Sequence, residues 1–124
     1  MSKLSKCKIL KKVNIDNLSK IEDLFFLEDC KVLEYVSIHN CKKIIDNTSL
    51  FKLTGLKVLG YLNSGKFTTI KGIENLQNLE RFVFYDTDIK DGDLEPIRKL
   101  KKINYCYFKD KKHYNLKLKD FFLS

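Results

Sequence analysis

Apolar residues recur in this chain every 23 residues, and no other property of the sequence restricts its fold as much. From Leu33 the chain reads L-E-Y-V-S-I-H-N-C, from Leu56 L-K-V-L-G-Y-L-N-S, and from Leu79 L-E-R-F-V-F-Y-D-T. A step of 24 reaches Ile103 (I-N-Y-C-Y-F-K-D-K), and a step of 23 back from Leu33 reaches Leu10 (L-K-K-V-N-I-D-N-L). The first, fourth and sixth places are apolar each time: Leu10/Val13/Ile15, Leu33/Val36/Ile38, Leu56/Leu59/Tyr61, Leu79/Phe82/Phe84 and Ile103/Cys106/Phe108. The second half of each unit repeats as well. Leu27 and Cys30 align with Leu50 and Leu53, then with Ile73 and Leu76, and Ile97 and Leu100 follow one residue late. Leu4 and Cys7 fit the register one unit earlier.

Alternation by two is the mark of a half-buried strand, so places four and six point inward. A single unit cannot bury its own apolar edge and must stack on its neighbours. Five units then give a five-stranded parallel sheet. Apolar pairs three apart (Leu50/Leu53, Ile73/Leu76, Ile97/Leu100) suit helical turns on the opposite side. Pro96 fits the first turn of the last of these, with Asp93 as a candidate cap.

With these residues in register, the sequence resembles the leucine-rich-repeat family, whose motif is L-x-x-L-x-L-x-x-N/C/T. Cys41 and Thr87 stand at its ladder position and Ser64 is a short polar variant, whereas Leu18 and Lys111 depart from it. The stretch L-E-R-F-V-F-Y-D-T-D-I-K-D-G-D-L-E-P-I is similar to bacterial variants of the motif. The resemblance implies an α/β solenoid of about five repeats of 23–24 residues, with a parallel concave sheet and short helices or turns on the convex side. The length suits one domain over 1–124, and because a solenoid needs its ends covered, the chain is expected to hold a partial repeat or cap over 1–9, repeats over 10–111, and a cap over 112–124 in which Leu116, Leu118, Phe121, Phe122 and Leu123 cover the last repeat.

The same period names the side chains that look outward from the concave side. They are Lys12, Asn14 and Asp16; Tyr35, Ser37 and His39; Val58, Gly60 and Leu62; Arg81, Val83 and Tyr85; and Tyr105, Tyr107 and Lys109. Sheet stability does not require apolar residues to face water, and clustered exposed aromatics mark the cores of protein interfaces. Tyr35, His39, Leu62, Arg81, Tyr85, Tyr105, Tyr107 and Lys109 are therefore the expected partner-binding residues, densest on the last two strands. Place eight (Asn17, Asn40, Asn63, Asp86, Asp110) reads as turn chemistry.

Catalytic and metal chemistry find little support. The acidic run Asp86–Glu95 fails the spacing of a calcium loop, because Lys90 stands where an oxygen ligand is needed. No cysteine or histidine cluster has zinc-ligand spacing, and no glycine-rich phosphate loop exists. His39 and Cys41 do not form a nucleophile–base pair if Cys41 points inward. No cofactor is expected. The four cysteines are expected to be reduced and packed. The N-terminal stretch lacks the continuous apolar run of a secretory signal, and no segment is apolar enough to span a membrane, so the expected location is cytoplasmic.

The net charge is +8, and its distribution is uneven. Residues 98–119 hold Arg98, Lys99, Lys101, Lys102, Lys109, Lys111, Lys112, Lys117 and Lys119 against Asp110 alone, so the rest of the chain is neutral. Basic residues interleaved with aromatics suit single-stranded nucleic acid, which makes nucleic-acid binding through 98–119 the alternative reading. The leading one is a non-enzymatic protein-binding module. The resemblance to small bacterial repeat proteins adds a more particular expectation: a toxin-neutralising immunity or inhibitor protein whose partner has an acidic surface. An unpaired N-terminal edge would also allow a homodimer.

Overall fold

The computed structural model describes residues 9–121, and the predicted partial repeat with Leu4 and Cys7, together with Phe122 and Leu123, lies outside them. Five strands form one sheet in the order of the chain: β1 (Lys12–Asp16), β2 (Tyr35–His39), β3 (Val58–Leu62), β4 (Arg81–Tyr85) and β5 (Tyr105–Tyr107). All neighbours are parallel and pair in the register of the repeat, so Asp16, His39, Leu62 and Tyr85 lie side by side. Each strand but the last runs from place three to place seven of its unit. β5 is shorter because pairing with β4 stops at Val83 and Tyr107.

Between strands the chain returns along the convex side through 3₁₀ helices at Phe25–Asp29, Thr48–Lys52 and Ile73–Asn75, and through the one-turn helix α1 (Glu95–Arg98). Pro96 occupies the first turn of α1, where its missing N–H costs no hydrogen bond. Leu94 takes the cap position. Asp93 stands one residue earlier and accepts the Glu95 N–H at 3.0 Å. The expected α/β solenoid is thus the fold observed.

Places one, four and six supply the core. Leu33, Leu56, Leu79, Val36, Ile38, Leu59, Tyr61, Phe82, Phe84 and Phe108 are all buried, joined from the convex side by Leu27, Leu50, Ile73 and Ile97. The aromatic content rises toward the C-terminal end. Phe84 stacks on Phe108 at 4.9 Å between ring centroids, and Phe108 meets the edges of Tyr114 and Phe121.

Polar columns hold the turns that end the strands. Asn17, Asn40, Asn63 and Asp86 all have left-handed backbones, with φ of 61°, 59°, 50° and 53°. Asn and Asp tolerate that conformation better than other residues with a β-carbon. The column is also bonded from repeat to repeat: the Asn63 amide donates to Asn40 Oδ1 at 2.6 Å, and the Asn40 amide donates to Asp16 Oδ1 at 3.4 Å. Inside it, Thr87 Oγ1 donates to the Ser64 carbonyl, and the Cys41 N–H donates to Ser64 Oγ. Gly65 is required by close approach, since a β-carbon there would lie 1.8 Å from the Ile44 carbonyl oxygen.

One expectation about the cysteines is corrected. Cys41 and Cys106 are free and buried, but Cys30 is disulfide-bonded. Reduced thiols throughout do not describe this molecule.

Candidate functional site

The concave face is a grid set by strand register. Its first row is Lys12, Tyr35, Val58, Arg81 and Tyr105; its second is Asn14, Ser37, Gly60, Val83 and Tyr107. The third row is Asp16, His39, Leu62 and Tyr85, with Lys109 following β5. Alternation along each strand presents all of them on one side.

At the C-terminal end of this grid Tyr85, Tyr105 and Tyr107 are 37%, 42% and 41% exposed. Tyr85 and Tyr107 stack at 5.8 Å between centroids. The Arg81 guanidinium lies 4.8 Å from the Tyr105 ring centre, and Lys12 Nζ lies 4.7 Å from that of Tyr35. A cation over an aromatic face is held in place while its outer side keeps donors free. Among the described residues, the ion pairs involve neither Lys12 nor Arg81 nor Lys109.

The middle of the grid holds a hollow of about 360 Å³ lined by Tyr35, Ser37, His39, Val58, Gly60, Leu62, Arg81 and Val83. It exists because Gly60 has no side chain. Ser37 Oγ and His39 Nε2 lie 2.7 Å apart at its side. The Ser37–His39 contact is invisible in the sequence, where both residues are simply outward-facing positions two apart. The signal available was the pairing of the two smallest outward residues, Ser37 and Gly60, in one row.

A serine hydrogen-bonded to a histidine has the geometry of a nucleophile and its base. Acyl transfer also needs an orienting group for the imidazole and donors for an oxyanion. Among the described residues no carboxylate hydrogen-bonds the His39 ring, Asp16 Oδ1 being taken by Asn40. The strand N–H groups around the hollow are directed along the sheet into its ladder. Cys41 is buried, with its thiol donating to the His39 carbonyl, so it faces away from the imidazole.

The remaining candidates are structural. Asp91 Oδ1 accepts the Asp93 N–H, and Asp93 Oδ1 also accepts from the Asn115 amide, so the acidic run folds its own turns. Among the described residues no group of three or more His, Cys, Asp and Glu is placed to hold a metal ion. His113 Nε2 lies 3.0 Å from Asp88 Oδ1 and 3.1 Å from the Ile89 carbonyl oxygen, which fastens the C-terminal segment to the fourth repeat. The basic segment is split by β5. Lys99, Lys101 and Lys102 precede it and Lys109, Lys111 and Lys112 follow it. Lys111 pairs with Asp88, and Lys117 Nζ donates to the carbonyls of Lys111 and Tyr114.

No family model and no curated protein matches the sequence. Solved structures do. An internalin (inlF) of Listeria monocytogenes superposes with a TM-score of 0.66 at 24% identity, over 89% of this chain and 33% of that one. Internalin C2 (inlC2) of the same organism superposes with a TM-score of 0.55 at 24% identity, over 77% of this chain and 38% of its own. The chain thus spans between a third and two fifths of the length of the internalins it matches. The cytoplasmic location expected from the sequence is corrected by the disulfide at Cys30, since such bonds persist in oxidising surroundings and are rare in the cytosol.

Proposed function

We propose that this leucine-rich-repeat solenoid, built like the repeat domains of bacterial internalins, is a non-enzymatic module that binds a protein on its concave face. The observation that carries the reading is the exposed trio Tyr85, Tyr105 and Tyr107 beside the stacked Arg81. Tyr and Arg are the side chains that most often anchor protein interfaces. A packed pair such as Tyr85–Tyr107 loses little conformational freedom when a partner covers it. Tyr35, His39 and Leu62 extend the surface toward β2 and β3, and Lys109 borders it beyond β5.

The sign of the face supports an acidic partner surface. Lys12, Arg81 and Lys109 are its cations, and its one acid, Asp16, is bonded to Asn40. A toxin or enzyme occluded by such a face is the more particular form of this reading. It draws on the charge and on the resemblance to small bacterial repeat proteins. Binding to immobilised partner candidates should be lost in Tyr105→Ala/Tyr107→Ala, while circular dichroism shows the parent fold and the melting temperature falls only by the few degrees that the lost Arg81–Tyr105 and Tyr85–Tyr107 contacts explain. Unchanged affinity would sink the proposal.

Self-association is a second reading with its own observation. Leu10, Leu18, Phe25 and Val32 of the first repeat are exposed, and β1 is an end strand of the sheet. Sedimentation velocity at two concentrations decides it, a concentration-independent monomer excluding the dimer. Nucleic-acid binding through 98–119 is tested by titration with single-stranded RNA and DNA at two salt concentrations, because phosphate contacts give a steep salt slope.

A further inference from the structure

We propose that the hollow over Gly60 is a socket for one tyrosine side chain of the protein partner, flanked in that partner by acidic residues. The proposal rests on the concave-face reading above and names the chemistry that the face selects.

The walls argue for an aromatic ring. Tyr35, Val58, Leu62 and Val83 surround a place where the sheet has no side chain of its own. A β-carbon added at Gly60 would meet Ser37 Oγ at 3.5 Å and the Ser37 backbone and β-carbon at 4.0 Å, which is ordinary contact. The fold would therefore accept a side chain at position 60, and an incoming group can occupy the space that the glycine leaves.

The side of the hollow argues for a hydroxyl at the tip of that ring. Ser37 is only 8% exposed, and its Oγ is bonded to His39 Nε2. If the serine donates to the ring nitrogen, its oxygen keeps lone pairs for an incoming donor. If the ring nitrogen donates, the serine proton seeks an acceptor. A phenol hydroxyl both donates and accepts, so it suits either tautomer of His39. Phenylalanine suits neither. The rim argues for the acids: Arg81 is fixed on Tyr105 and Lys12 on Tyr35, one beside each wall, without an ion-pair partner among the described residues.

Selection of phage-displayed random peptides on the folded chain tests this. Enriched peptides should carry a tyrosine next to Asp or Glu. A synthetic peptide of that sequence should bind Gly60→Leu at least tenfold more weakly than the parent, with a smaller loss for Gly60→Ala. Changing the peptide's tyrosine to phenylalanine should cost roughly 2- to 10-fold, the worth of one hydrogen bond. Ser37→Ala should erase that difference between the two peptides. Circular dichroism of each variant confirms that it is folded. Peptides that lose binding to Tyr105→Ala/Tyr107→Ala but bind Gly60→Leu and Gly60→Ala like the parent would overturn the socket and leave the concave-face reading standing. Peptides indifferent to all of these variants, or a library without any concave-face binder, would overturn both.

Discussion

The Tyr61 hydroxyl accepts a hydrogen bond of 3.1 Å from the Asn47 side-chain amide, and both residues are buried where the third repeat meets the second. The same hydroxyl donates to the Gly65 carbonyl, and the Asn47 amide reaches the Lys66 carbonyl at 3.3 Å. A tyrosine at an inward place is thereby made compatible with the core. Tyr61→Phe keeps the ring against Phe67 but leaves the Gly65 carbonyl and part of the Asn47 amide without partners. Buried groups left unpaired in this way cost about 1–3 kcal/mol. Urea unfolding of the variant should show a lower midpoint with an unchanged slope.

The left-handed turn residues give a second prediction. Asn63 has φ of 50° and donates to Asn40. Asn63→Ala should destabilise the chain by about 1–2 kcal/mol through backbone strain alone, besides the lost hydrogen bond. Asn63→Gly removes the bond but relieves the strain, so it should be the milder variant. Thermal unfolding of the pair checks the order, and a glycine variant less stable than the alanine one would contradict the account.

Alkaline conditions should unfold the chain earlier than its lysine content alone implies. Burial pushes the Tyr61 phenol from 10.0 up to about 12, against the opposing Asn47 bond. Burial likewise pushes the Tyr114 phenol from 10.0 and the Cys106 thiol from 9.0 up to about 12. In the unfolded chain these groups release their protons at the lower values, while the folded chain holds them. The unfolded state then binds fewer protons, and stability falls with rising pH. The contribution is intact below about pH 9 and is lost progressively toward pH 12. Urea midpoints at pH 8, 10 and 11 should descend, and Tyr61→Phe should flatten the descent.

Reduction is the fourth test. A disulfide of ordinary worth contributes about 2–4 kcal/mol, so dithiothreitol should lower the melting temperature by several degrees. Cys30→Ser should match the reduced parent and gain nothing further from the reductant. Identical melting curves with and without reductant would show that the bond does not stabilise the fold in solution.

The architecture was legible because a solenoid writes its packing into a period. Leu33, Leu56 and Leu79 announce one another by spacing alone, and strand bounds follow from alternation around them. Contacts that depend on rotamers were not legible. Nothing in the spacing of Ser37 and His39 distinguishes a hydrogen-bonded pair from two neighbours, and nothing in that of Arg81 and Tyr105 specifies a cation over a ring. Cys30 escaped for a related reason. It occupies a regular apolar place of the repeat, where a packed thiol and a bonded one look alike in sequence. The concave tyrosines stood out because outward places are free of core duty, so an aromatic there is conspicuous.

Strand pairing also fixes the dimensions of what can be gripped. Five strands spaced about 4.8 Å apart, each of five residues or fewer at about 3.3 Å per residue, make a palm roughly 19 Å wide and 16 Å tall. That is room for one helix about 10–12 Å across, or for a single extended segment, but not for a broad flat surface. Even doubled for the relief of its side chains, a flat footprint on the order of 300 Å² falls short of the ~800 Å² of accessible surface that each side of a stable complex usually contributes. A durable grip on a folded partner therefore has to recruit the turns at the strand ends, where the bonded asparagine column forms one rim of the palm.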